Sequence, residues 1–270
     1  MVLFGELEWD YAILIVLLII TLVYLISLRK SLKKRRHLFF FSAGISFFYL
    51  LIGSPLDELS GVSMSTHMLK MSMLYFMVPP LLLLGLPLRF YQLQKVEWVE
   101  RKILNNHYSL LVFAILFTMY HFPGIAGLVH VNPVYTFIYS AVMMITAFGM
   151  WGRMTSPTMK KWLCIGECHH YLKLNKWLLM PACISLLIFS HGISRFADSY
   201  SLQSLSELCY PTGSIPGQFL PFSMPFDQEL AGVLMIIMHK VSLFMVPLLS
   251  DQSKDPIDTK QCFCSPINFK

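Results

Sequence analysis

Seven runs of apolar residues, separated by short polar and often basic stretches, set the pattern of the chain. They lie at about 11–28, 38–54, 62–84, 104–122, 133–151, 177–193 and 228–249. Each approaches the ~20 residues that a helix needs to cross a ~30 Å hydrocarbon core. The pattern predicts an all-α fold: a polytopic bundle of seven transmembrane helices forming one membrane domain over residues 1–250, with a tail at 251–270. The fourth run is the weakest of the seven. Prolines shape two of the spans; Pro79 and Pro80 remove two backbone donors and should kink or end the third helix there.

The third run is chemically unlike the others. Residues 62–87, VSMSTHMLKMSMLYFMVPPLLLLGLP, are long enough to span a bilayer yet hold a histidine, a lysine and five methionines. At 100° per residue, Met64, His67, Met68, Met71 and Tyr75 fall within one ~100° arc, whereas Met73 and Met77 point the opposite way. Lys70 sits ~60° beyond His67 by the same arithmetic.

Charge turns the pattern into an expected orientation. Only 13% of residues are charged, about half the ~25% usual for soluble domains. The net charge of +6 does not point to nucleic acid, because the basic residues are confined to short segments between apolar runs. The first run follows Glu6, Glu8 and Asp10 and precedes RKSLKKRRH, the reverse of a signal peptide, so it should remain as a span. With the N-terminus outside and the C-terminus cytoplasmic, 18 of the 21 Lys and Arg lie on the inner side. Lys70 and Lys240 fall within spans, and Arg195 lies in an outer loop. That loop, 194–227, is the one long outer connection, and a loop of such length often covers a site. The six cysteines do not form the dense framework of a small secreted domain and are expected to be reduced thiols.

Orientation sorts the histidines. His67, His121, His130 and His191 gather toward the outer leaflet; His37, His107, His169 and His170 lie on the cytoplasmic side, and His239 lies deeper in span seven. Imidazole and thioether suit copper, especially Cu(I), better than hard ions. Met64, His67, Met68 and Met71 can converge from one helix face, with His121 completing the site from a neighbouring helix. Two readings are open, because methionine also fills irregular interfaces and a lone intramembrane histidine can bond across helices. In span seven, Gln228, Ala231, Gly232, Met235, His239 and Ser242 share a face, with Ala231 and Gly232 small enough for close approach. Asp227 is expected to cap this same helix, and Lys240 to snorkel to the cytoplasmic surface. Cys164, Cys168, His169 and His170 lack a clear second half for a zinc site, and Cys262 with Cys264 are donors suited to Cu(I). There is no Gly-rich phosphate loop, nucleophile elbow, HExxH motif or pair of intramembrane carboxylates. A protein without catalytic turnover is expected.

His67-Met68, VPPLLLLGLP at 78–87, YHFPGI at 120–125 and FDQELAGVLM at 226–235 occur in this order in the corresponding spans. In these blocks, and from about residue 40 to 249, the chain resembles the multi-spanning CtaG type of bacterial cytochrome oxidase assembly factors. The resemblance implies a plasma-membrane protein needed to mature a heme-copper oxidase, with a part in delivering or inserting copper. The matching positions are His67, His121, Asp227, Gln228, Gly232 and Met235. The chain departs from the pattern at Met71, where a second histidine is expected, at Lys70, which replaces a neutral polar residue, and at Tyr135 and Tyr139, which replace histidines spaced by four.

The expectation is therefore a membrane assembly factor of the respiratory chain that binds copper at His67 and His121, with Met64, Met68 and Met71. Asp227, Gln228, Met235, His191 and Lys70 are further functional candidates. Its partners would be the lipid bilayer, an oxidase subunit and a copper chaperone. One alternative is a metal-free scaffold for an oxidase subunit. Another, prompted by Lys240, is a seven-helix receptor or retinal protein, although Ile236 stands where an aspartate would be expected one turn earlier.

Overall fold

The computed structural model describes residues 9–28, 34–60, 63–91, 107–121, 125, 129, 132–155, 165–196 and 224–251. Among the described residues there are helices and no strands. In chain order they are α1 (Tyr11–Leu28), α2 (Lys34–Ile52), the single turn α3 (Leu56–Leu59), α4 (Met64–Phe76), α5 (Val78–Gly85), the single turn α6 (Leu88–Tyr91), α7 (Tyr108–Tyr120), α8 (Pro133–Thr155), α9 (Ile165–Phe196) and α10 (Met224–Asp251).

Five stretches are long and apolar enough to cross a membrane: Tyr11–Leu28, Met64–Gly85, Pro133–Thr155, His169–Ile188 and Phe226–Leu249. The two remaining predicted spans form shorter or more polar helices. At 13 residues, α7 reaches only ~20 Å at 1.5 Å per residue. α2 has 19 residues but opens on Lys34, Arg35 and Arg36. The sixth predicted span, at 177–193, is the later part of the 32-residue α9. Its earlier turns carry Tyr171, Leu172 and Asn175, all buried, so packing carries the helix well past the apolar run.

The apolar residues that α1 turns outward include Ile15, Val16, Ile19 and Val23, as expected where hydrocarbon is the solvent. Its inward side carries Leu17, Tyr24 and Leu28, all buried. Tyr24 stacks on Phe41 of α2 with ring centroids 3.6 Å apart, and its hydroxyl donates to the Gly85 carbonyl at 2.7 Å. There α2 and α5 meet backbone to backbone: a Cβ on Gly85 would lie 2.7 Å from the Phe41 backbone nitrogen. Only glycine allows that approach.

The expected break in the third span falls at Met77, and α5 begins with Pro79 and Pro80 in its first turn. Pro79 cannot donate to the carbonyl four residues earlier, on Tyr75. The Trp151 indole N–H of α8 supplies the missing bond at 2.9 Å, within a fully buried contact. A neighbouring helix thus satisfies the carbonyl that the proline freed, which is how membrane helices tolerate such breaks.

Of all the helix pairs, α4 and α10 make the most extensive contact. On its far side α10 approaches α9 closely at Gly232, where a Cβ would come within 3.1 Å of Leu187. The predicted face of this helix is buried at Ala231, Gly232, Met235, His239 and Ser242, and Gln228 is half-buried. Arg36 of α2 donates to the Leu249 carbonyl near the end of α10, a favourable place for a cation at a helix C-terminus.

Candidate functional site

The start of α4 is held from two sides. Ser63 is its N-cap and accepts from the Thr66 N–H at 3.1 Å. The remaining first-turn donors turn to Asp227 of α10: Met64 N–H donates to Oδ2 at 2.7 Å, and the Ser65 N–H and hydroxyl donate to Oδ1 at 3.2 and 2.5 Å. Asp227 lies within the first turn of α10, and its carboxylate reaches across to the neighbouring helix. It caps a neighbour, because two helix N-termini meet here and a carboxylate can serve the one it faces.

This capped end fixes the register of the next turn. The residues following Ser65 meet the last residues of α7 in adjacent pairs. His67 Nε2 lies 3.0 Å from the Tyr120 hydroxyl. The next residue on each helix makes the second pair: His121 Nε2 lies 3.3 Å from Met68 Sδ. His121 Nδ1 lies 2.5 Å from the Phe117 carbonyl oxygen, one turn back. A carbonyl oxygen only accepts, so Nδ1 carries the hydrogen and Nε2 keeps its lone pair in the neutral ring. A bare imidazole nitrogen and a thioether sulfur then face each other, and neither has a hydrogen to share. The contact becomes attractive when a proton or a soft cation enters it.

Imidazole orientation by a backbone carbonyl through the other ring nitrogen is the usual support of a metal-binding histidine. Both members of the pair are buried, Met68 at 3% and His121 at 6% exposure. Among the described residues no three His, Cys, Asp or Glu side chains gather as a metal cluster. The arrangement sets one imidazole nitrogen and one thioether sulfur side by side in the bundle interior.

The other sequence candidates are dispersed around this pair. Met71 is buried and Met64 half-buried, and both pack in the hydrophobic core. Met235 is fully buried in the same core on α10. Gln228 is half-buried one residue after Asp227. His191 belongs to the α9 helix, but its side chain lies outside the described residues, as do His130, Cys164, Cys262, Cys264 and the Cys168 side chain. The described His107 and His170 bring their rings 6.2 Å apart where α7 begins.

Lys70 is half-buried and forms an ion pair with Asp57 of α3, with the Ser60 hydroxyl at 3.4 Å. Since Asp57 is 45% exposed, the pair is worth little, about 0–1 kcal/mol. Lys70→Met is expected to change the thermal midpoint of the purified protein only slightly and to leave any metal stoichiometry intact. A large loss of either would make Lys70 part of the site. Lys240 is exposed on the outer side of α10, not enclosed as a chromophore-bearing lysine would be.

Three features here escaped the sequence reading. Tyr120 is adjacent to His121 in the YHFPGI block and could have been noticed as its companion. Tyr139 donates to the Leu116 carbonyl and sets its ring 5.7 Å from that of Tyr120, so one of the tyrosines at the departing positions supports the His67 partner. Ser65 gave no signal, since its role depends on Asp227.

A family model for the cytochrome c oxidase caa3 assembly factor, Caa3_CtaG, matches residues 20–249. No curated protein and no solved structure matches the chain. The match runs from within α1 almost to the end of α10 and takes in His67, Met68, His121 and Asp227. The chain belongs to the cytochrome c oxidase caa3 assembly factor family.

Proposed function

We propose that this family member binds copper as cargo at His121 and Met68, with His67 beside them, and passes it to a heme-copper oxidase subunit during assembly. The observation that carries the proposal is the His121 ring, tied through Nδ1 to Phe117 with Nε2 turned to Met68 Sδ at 3.3 Å. Cu(I) fits this donor set: it is soft and favours thioether and imidazole over oxygen. Met64 and Met71 would then serve as alternative donors along the same helix. The proposed setting is a bacterial plasma membrane crossed seven times, N-terminus outside, so that the Ser63 end of α4 and the His121 end of α7 lie in the outer leaflet. The distribution of Lys and Arg supports that orientation. A copper chaperone would load the site, and no catalytic turnover is involved.

Copper titration of the purified protein under reducing conditions tests the proposal. The wild type should bind close to one Cu(I), and His121→Ala and Met68→Leu should each weaken binding at least tenfold while the protein stays folded. A wild type that remains copper-free after loading would overturn this reading and favour the metal-free scaffold. An unchanged affinity in both variants would move the site elsewhere.

A further inference from the structure

The outward face of α10 carries one side chain that a lipid surrounding does not explain. Phe226, Val233, Ile237, Val241 and Phe244 are exposed along it, and at 100° per residue they fall within one ~100° arc. Lys240 lies in the same arc and is exposed with them. The apolar residues need only hydrocarbon around them. An amine needs a hydrogen-bond acceptor, and lipid chains offer none.

Lys240 is deep in the span. It stands nine residues before Leu249, ~14 Å along the helix, and thirteen after Asp227, ~20 Å. Leu249 marks the polar boundary at its end, because its carbonyl accepts from Arg36, which opens α2 together with Lys34 and Arg35. In a hydrocarbon core ~30 Å thick, Lys240 therefore sits close to the midplane. Snorkelling to the Leu249 boundary has more than two turns to cover, and a lysine stem covers roughly one turn of 5.4 Å. Helical side chains also lean toward the N-terminus, away from that boundary.

The bundle does not serve the amine either. Among the described residues Lys240 has no hydrogen bond and no ion pair. Lysines at such depth are ordinarily paired and face the bundle interior. Among the described residues the spans hold no Asp or Glu at this level; Asp227 and Glu229 lie near the start of α10. A second copy in the same orientation brings no carboxylate to Lys240.

We propose that the face of α10 around Lys240 docks a membrane-spanning helix of another protein that carries an aspartate or glutamate near the middle of the bilayer. The carboxylate accepts from the ammonium, and the low dielectric around them strengthens the pair. Val233, Ile237, Val241 and Phe244 pack on the same helix above and below the pair and keep water from it. The lysine thus sets both the chemistry and the depth of the partner, since a helix without an acceptor at that level leaves the amine unserved. The surface is independent of the copper reading: it shares no side chain with the His121–Met68 pair and needs no metal.

The test is photocrosslinking of the full chain in intact membranes of cells that assemble the oxidase, with benzoylphenylalanine replacing Phe244, one turn from Lys240. Mass spectrometry of the crosslinked peptide should identify a membrane span of another protein with an Asp or Glu within about two turns of the attachment point. Lys240→Met should cut the crosslink yield at least fivefold, and Lys240→Arg, which keeps the charge, should retain most of it. Both variants should unfold at the wild-type thermal midpoint, as nothing in the bundle is bonded to the amine. A lowered midpoint in Lys240→Met would place its partner inside the bundle and overturn the proposal. Crosslinks confined to lipid or to a second copy, a crosslinked span without a carboxylate, or a yield unchanged by Lys240→Met would each overturn it as well.

Discussion

Asp227→Ala is expected to lower the unfolding free energy of the purified protein by about 3–5 kcal/mol, among the largest losses from any single side chain in the bundle. The carboxylate is 3% exposed and receives three donors from Met64 and Ser65. Its removal takes the acceptor from two backbone N–H groups at the start of α4, that of Ser65 in a buried contact and that of Met64 in a partly buried one. Each stranded donor costs about 1–3 kcal/mol, and the favourable charge at the α4 N-terminus is lost as well. Asp227→Asn should recover part of the loss, since one oxygen still accepts, but its amide presents hydrogens to donors. Ser65→Ala, which removes only the hydroxyl contact, should cost about 1–2 kcal/mol. The midpoints of thermal or denaturant unfolding of the solubilised variants check the order Ala, Asn, Ser65→Ala. A wild-type-like midpoint in Asp227→Ala would mean that water or another group can replace the cap. Under the copper proposal, Asp227→Ala should lose copper and stability together, whereas His121→Ala should lose copper with little loss of stability.

Trp151 is the second position of large effect. Trp151→Ala should cost about 3–5 kcal/mol, as for other large aromatic truncations in a packed core. The more informative change is Trp151→Phe, which keeps an aromatic ring but removes the indole N–H from the Tyr75 carbonyl. That carbonyl has already lost its donor to Pro79, so the variant should cost about 1–3 kcal/mol beyond the change in volume. Introducing Pro79→Ala restores an N–H at position 79. In that background the penalty of Trp151→Phe should shrink by about 1 kcal/mol or more. An additive cycle would show that the indole bond and the proline break are unrelated.

These two positions show what local sequence could and could not reveal. The break at Met77 was legible, because a proline pair inside an apolar run has one backbone consequence wherever it occurs. The donor that repairs it was not, since nothing in the GMWGRM stretch of α8 indicates which carbonyl its tryptophan will meet. The acidic residue at 227 was legible as a helix-start signal, but that it receives the first donors of α4 was not, because this depends on which helix N-terminus packs beside it. Asn175 precedes the apolar run at 177–193 and so fell outside the predicted span; packing carried the helix through it and buried the asparagine between α9 and α10.

The candidate site divides in the same way. The face of α4 that carries Met68, Met71 and Tyr75 followed from helical periodicity, and these side chains are buried. His67, at the edge of that arc, is only half-buried and faces Tyr120. His121 meets α4 at Met68, and the described contacts pair His67 with Tyr120.

By itself the sequence determined the helical class, the long apolar spans, the proline break, the buried face of α10 and the family. All of these depend on composition, spacing along one helix, or motifs in order. Only the tertiary structure decided that Asp227 caps α4, that Trp151 serves Tyr75, that His121 meets Met68 and that Asn175 lies beside His239. Those contacts depend on the depth and rotation at which one helix meets another. Helix periodicity specifies which side chains share a face, but packing across the interface decides what that face touches.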